Sequence, residues 1–182
     1  AQALGSSLGK MAKLTSLSLD LQCGAGADDT AATGLAAGMR ALTSLRDLKF
    51  YLDTKAVADL TYMGMHTIVV ALGTLFSVQT LDIKIYCDVG PNPPVRGLGN
   101  LRNLTHFKWF GCLSLDGFGE QLRSLTHVTK MEFHGGTESR NSMAALQEFG
   151  VGLGAMTSLA VLKLELNHVG VAFAQAVGIG LG

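Results

Sequence analysis

Residues 39–52 read MRALTSLRDLKFYL. Apolar side chains stand at Met39, Leu42, Leu45, Leu48, Phe50 and Leu52, a ladder with spacings of three, three, three, two and two. The spacing of two places alternate side chains on one side of an extended strand. Just upstream, Leu35, Met39 and Leu42 are four and three residues apart, which sets one apolar stripe along a helix. Within this stretch the chain therefore passes from helix through a short turn into strand.

The same ladder recurs along the chain. It runs Leu8, Met11, Leu14, Leu17, Leu19, Leu21, and again Leu72, Leu75, Val78, Leu81, Ile83, Ile85. It returns as Leu98, Leu101, Leu104, Phe107, Trp109 with Gly111 in the last slot, and as Leu122, Leu125, Val128, Met131, Phe133 with Gly135 last. The sixth copy is Leu153, Met156, Leu159, Leu162, Leu164, Leu166. Successive first positions are separated by 31, 33, 26, 24 and 31 residues. The opening AQALGSSLG (residues 1–9) and the closing AQAVGIGLG (residues 174–182) occupy the same phase, so Leu181 matches Leu8. Self-similarity at this period, about 29 residues, marks an array of stacked units. Side-chain oxygens suited to capping helix starts occur at Asp28 to Thr30, at Asp53 to Lys55 and at Asn141 or Ser142. Each unit is expected to be strand, loop, helix, loop, with parallel strands along one side and helices along the other.

The pattern resembles the leucine-rich-repeat family, and within it the ribonuclease-inhibitor-like class that carries a full helix in each repeat. The family word LxxLxLxxN is met at Leu159, Leu162, Leu164 and Asn167; the other units carry Gln22, Asp53, Tyr86, Cys112 and Gly136 at the Asn slot, of which Tyr86 and Gly136 depart from the family. The LTSL-like words and LGxxLG helices resemble repeat proteins of protists and algae. The resemblance covers residues 1–182 as one array of about six repeats and implies an α/β solenoid, curved, with parallel strands on the concave face and helices on the convex face. Both ends fall inside a helix pattern, so the array is expected to be a fragment of a longer one, or to self-associate through uncapped ends. Pro91, Pro93 and Pro94 forbid a regular helix between the third and fourth strands, so a break in the helical layer or a protruding loop is expected around residues 87–97. HGGTESR, residues 134–140, is a second exposed loop.

Charged residues make up only 15% of the 182 residues, and fourteen Lys plus Arg balance fourteen Asp plus Glu. This balance offers no overall basic field for nucleic acid or anionic lipid. No apolar run reaches the roughly 18 residues of a membrane span. Cys23, Cys87 and Cys112 are odd in number and widely spaced, which does not suit a disulfide framework and favours a reducing, intracellular setting. No His pairs with another His or a Cys at metal-ligand spacing, and no phosphate-loop lysine or GxSxG word occurs. Neither a metal, a cofactor nor a catalytic group is expected. The glycine-rich runs read as close helix packing, and the Asn103-Leu-Thr105 sequon as unused.

Between the ladder positions lie the residues of the opposite strand face. One column is Ser18, Lys49, Asp82, Lys108, Glu132, Lys163, whose signs alternate from Lys49 onward. It reads either as a ladder of opposite charges that keeps the strands in register or as a mixed-charge binding surface. The next column is Asp20, Tyr51, Lys84, Phe110, His134, Glu165, with Tyr86 close by in the column after. Aromatic side chains flanked by charges have the composition of an interface hot spot; the alternative is that a loop covers them. Trp109 falls in a core slot. The expected function is a scaffold that presents its concave face to a protein partner. The alternatives are a regulatory or sensor segment of a larger enzyme or receptor, and a structural subunit of a large assembly.

Overall fold

The computed structural model describes residues 2–22, 27–54, 60–86, 96–112, 115–136 and 142–167, together with Gly178. In chain order the elements are α1 (Gln2–Leu8), β1 (Ser16–Gln22), α2 (Asp29–Arg40), β2 (Asp47–Asp53), α3 (Tyr62–Leu72), β3 (Thr80–Tyr86), a 3-10 turn (Leu98–Asn100), β4 (His106–Cys112), α4 (Phe118–Ser124), β5 (Lys130–Gly136), α5 (Met143–Gly154) and β6 (Val161–Asn167). The six strands form one open sheet in the order β1-β2-β3-β4-β5-β6, and every pairing is parallel. The protein is thus an α/β structure in which helices and parallel strands alternate.

The ladder positions meet in register. Leu17, Leu48, Leu81, Phe107, Met131 and Leu162 form one row across the sheet, and Leu19, Phe50, Ile83, Trp109, Phe133 and Leu164 the next. The inner members of both rows are buried. Leu14, Leu17, Leu19, Leu159, Leu162 and Leu164 are only partly buried, because β1 and β6 each have one neighbouring strand among the described residues. Met11, placed in the first ladder by its spacing, is 47% exposed for the same reason.

The turn before each strand repeats one backbone device. The Thr15 carbonyl accepts both the Arg46 and the Asp47 N–H, at 2.8 and 3.0 Å. The Arg46 carbonyl does the same for Gln79 and Thr80, Gln79 for Thr105 and His106, Thr105 for Thr129 and Lys130, and Thr129 for Ala160 and Val161. Each unit therefore holds the first two amides of the next strand, which sets register before the ladder begins.

Asp28 caps α2 by accepting the Ala31 N–H at 2.7 Å, and Ser142 caps α5 by accepting the Ala145 N–H at 3.1 Å. The helix start expected at Asp53 to Lys55 is not found at Asp53 or Thr54. Thr54 donates both its N–H (2.9 Å) and its hydroxyl (3.1 Å) to the Tyr86 carbonyl, which prolongs strand pairing by one residue. α3 begins instead at Tyr62, capped by Thr61, whose own N–H and hydroxyl donate to the Asp29 carboxylate at 2.8 and 2.6 Å. Where the prolines precede the fourth unit, the helical layer among the described residues contains only the 3-10 turn; residues 87–95 lie outside the described residues. So do residues 137–140 of the second expected loop, Asn141, Cys23, Cys87, the side chains of Cys112 and Asn167, and all but Gly178 of the closing AQAVGIGLG; residues 134–136 of that expected loop are instead the end of β5, held there by parallel pairing with β4 and β6.

Three glycines mark where the chain packs most closely. Gly111 occupies a ladder slot with φ +152°, and a Cβ there would overlap the Ile85 carbonyl. The rings of Phe107, Trp109, Phe118, Phe133 and Phe149 pack against one another in the core, with centroids 5.1 to 6.3 Å apart. In the helical layer, α4 and α5 touch at Gly119 and Gly152, and a Cβ on Gly152 would overlap the Gly119 backbone. Replacing a helix-interior Gly with Ala normally gains up to about 1 kcal/mol. Here Gly152→Ala is expected to lose about 1–3 kcal/mol through overpacking in urea unfolding. Gly9→Ala, whose added methyl would meet atoms only at 3.5 and 3.6 Å, should stay within about 0.5 kcal/mol of the parent.

Candidate functional site: the open face of the sheet

Side chains between the ladder positions project from the sheet face that carries no helices. Tyr51, Tyr86, Phe110 and His134 form a continuous row across β2 to β5. Ring centroids lie 5.7 Å apart for Tyr51 and Tyr86, 5.2 Å for Tyr86 and Phe110, and 5.5 Å for Phe110 and His134, the last pair stacked. Tyr86 comes from the neighbouring column yet bridges Tyr51 and Phe110, because a large ring reaches the diagonal position on the next strand. All four are half-buried. The Tyr51 hydroxyl donates to Asp53 at 3.4 Å. Burial, then the Asp53 carboxylate, raises the Tyr51 phenol above its ordinary range, so it remains a neutral donor.

At the β5–β6 end the row passes into an ionic network. His134 Nδ1 lies 2.7 Å from Glu165 Oε2, and Lys163 Nζ lies 2.6 Å from Glu165 Oε1. Lys163, then His134, draws the Glu165 carboxyl below its usual range, and Glu165 in turn raises the Lys163 ammonium. Glu132 accepts from Lys130 at 2.9 Å and Lys108 at 3.3 Å. Lys130, then Lys108, lowers the Glu132 carboxyl to about 2 against the opposing effect of burial.

The alternating column read from the sequence forms only in part. Of its expected rungs, Lys108–Glu132 is an ion pair. Among the described residues Lys49 and Asp82, Asp82 and Lys108, and Glu132 and Lys163 are register partners that make no ion pair within 4 Å. Neighbours two residues away on the same strand compete successfully: Lys130 takes Glu132, and Glu165 takes Lys163. Both competitors sit at period-two spacing in the sequence, a signal that a column-by-column reading passes over. Lys49 and Lys84 are consequently unpaired among the described residues, and Asp82 Oδ1 is buried without a hydrogen-bond partner.

These three residues, with Ser18, Tyr51 and Tyr86, line a groove of about 520 Å³ over β1 to β3. The site therefore joins an aromatic row, a satisfied ionic network at one end, and a groove with free cations and a free acceptor at the other. This set holds a ligand by stacking, ion pairing and hydrogen bonding. Trp109, by contrast, is fully buried in the core, with its indole N–H unpartnered. Among the described residues no three metal-ligating side chains cluster, and no helix is long and apolar enough to cross a membrane.

Compared with known proteins, the chain matches no family model, no curated protein and no solved structure.

The lowered Glu132 pKa is a stability term with a definite sign. A depressed carboxylate stabilises the fold above its unfolded value, near 4.5, and loses that contribution as pH falls through about 2. Glu132→Gln should therefore cost about 1–2 kcal/mol near neutrality, after allowance for solvent screening. The two proteins should converge in stability as pH drops from about 4.5 towards 2. Chemical unfolding followed across that window checks this; parallel curves would count against the network.

Proposed function

We propose that the chain is a leucine-rich-repeat-like solenoid whose open strand face holds another protein. The observation that carries this reading is the row Tyr51–Tyr86–Phe110–His134, four rings in edge, tilted or stacked contact on a face that carries no helix among the described residues. Rings held against one another lose little side-chain freedom on binding, and large half-buried aromatics are the usual anchors of protein interfaces.

The flanking groups suit a protein partner. Asp82 Oδ1 asks for an N–H or O–H donor. Lys49 and Lys84 offer unused cations. The network of Lys108, Glu132, His134, Lys163 and Glu165 supplies a polar rim whose internal pairs are already made. The partner segment would place an apolar or aromatic side chain on the ring row and its backbone over the groove.

The test is selection of binding peptides from a displayed random library, followed by titration against variants. Tyr51→Ala with Phe110→Ala should weaken the selected peptides by about tenfold or more, the scale of lost aromatic anchors, while unfolding remains cooperative. Met63→Ser, on an exposed position of α3, should leave them unchanged. Peptides that bind equally well to the Tyr51/Phe110 double variant would remove the open face as the binding surface.

A further inference from the structure

The balanced total charge conceals a segregated one. All six strands are parallel and every helix returns between them, so helix C-termini and strand starts share one edge of the molecule, and strand ends and helix N-termini share the other. The strand-start edge carries Lys10, Lys13, Arg40, Arg46, Arg102 and Arg123, all exposed and none in an ion pair among the described residues. Its acid is Asp47. The far edge carries Asp28, Asp29, Asp53, Asp116 and Glu120, with Arg96 as its cation among the described residues. Aligned helix dipoles make this segregation cheap, since cations suit helix C-termini and carboxylates suit N-termini. Dipoles do not account for what lies between the cations.

On the basic edge, Lys13 and Arg46 line a groove of about 570 Å³ floored by the turns of the first four units. Thr15, Thr43 and Ser44 also line this groove, and their hydroxyls donate to no group among the described residues. The floor itself is fixed: Ser77 donates to the Thr43 carbonyl at 2.7 Å, and Asn103 donates to the Phe76 carbonyl at 2.8 Å. Next in the chain to the lining Ser77, Phe76 is 58% exposed, and two residues before Lys13, Met11 is 47% exposed. Free donors and cations, together with two protruding apolar side chains, complement a ligand that is both anionic and apolar.

We propose that this strand-start edge docks an acidic, apolar-bearing peptide segment of a partner protein, lying across the turns of successive units with carboxylates on Lys13 and Arg46. The surface is a different side of the molecule from the aromatic row, and the proposal stands whatever that row holds. A peptide fits better than a nucleic acid. The cations come about one to a unit and lapse in the third, where Gln79 and Ser77 stand, so they do not form the continuous basic track that a nucleic-acid backbone needs.

The experiment is fluorescence anisotropy of the full chain with a short fluorescein-labelled peptide of interleaved Glu and Leu. The peptide should bind, and its affinity should fall as salt is added. Lys13→Glu with Arg46→Glu should weaken it by at least about tenfold, two exposed pairs each contributing a few-fold. Lys13→Gln with Arg46→Gln provides the same reading, less steeply, if the reversed variant fails to fold. Glu120→Gln on the far edge should leave affinity unchanged. Phe76→Ser, or Ser in place of Leu in the probe, should each weaken binding. Unchanged affinity in both double variants overturns the site. Tighter binding of labelled oligothymidylate or of phosphatidylserine vesicles than of the peptide, lost in the same variants, overturns the occupant.

Discussion

In-register hydrogen bonding between parallel strands is the constraint on which the rest of this structure depends. It starts one residue before each strand, where a single carbonyl accepts two successive amides of the next unit, from Thr15 through Arg46, Gln79 and Thr105 to Thr129. A one-residue slip would turn every ladder side chain to the opposite face. The repeated carbonyl clamp prevents that slip locally, and burial of the ladder rows prevents it globally. Because each strand is held at its start, units of unequal length can still stack in line.

The differences in length fall in the helical layer. Among the described residues the connection from β3 to β4 holds only a 3-10 turn, whereas the connections between the other strands hold helices α2 to α5. The rings of Phe107, Trp109, Phe118, Phe133 and Phe149 pack against one another in the core, and glycine stands in the ladder slots at 111 and 135 for two separate reasons. A Cβ on Gly135 would meet the Phe133 ring, and one on Gly111 the Ile85 backbone. The buried Trp109 N–H without a partner is the polar cost of using so large a ring.

Polar residues are organised by the same stacking. Strands about 4.8 Å apart bring columns of side chains close enough to interact, and the open face resolves into an aromatic row, a paired ionic cluster and a groove with unpaired groups. Parallel order also aligns the helices, and among the described residues opposite edges carry side chains of mostly opposite charge while the total for the chain is zero. Asp29 shows how the acidic edge is used internally: its carboxylate accepts from Thr61 across units, and those bonds, from the hydroxyl first, hold its pKa below the ordinary value.

The sequence by itself determined the alternation of helix and strand, the six ladders, helix starts within Asp28 to Thr30 and at Asn141 or Ser142, the core position of Trp109 and the aromatic residues of the open face. Each follows from local periodicity or from side-chain chemistry acting within a few residues. The tertiary structure alone decided which charges pair, since Lys108, Lys130, Lys163 and His134 compete for two carboxylates through distances that column order does not contain. It alone moved the start of α3 from the Asp53 region to Thr61, because Thr54 finds a partner on Tyr86, a residue 32 positions away. It alone separated the charges onto two edges, because that depends on every helix running the same way, a property of the stacked units together and of no single one.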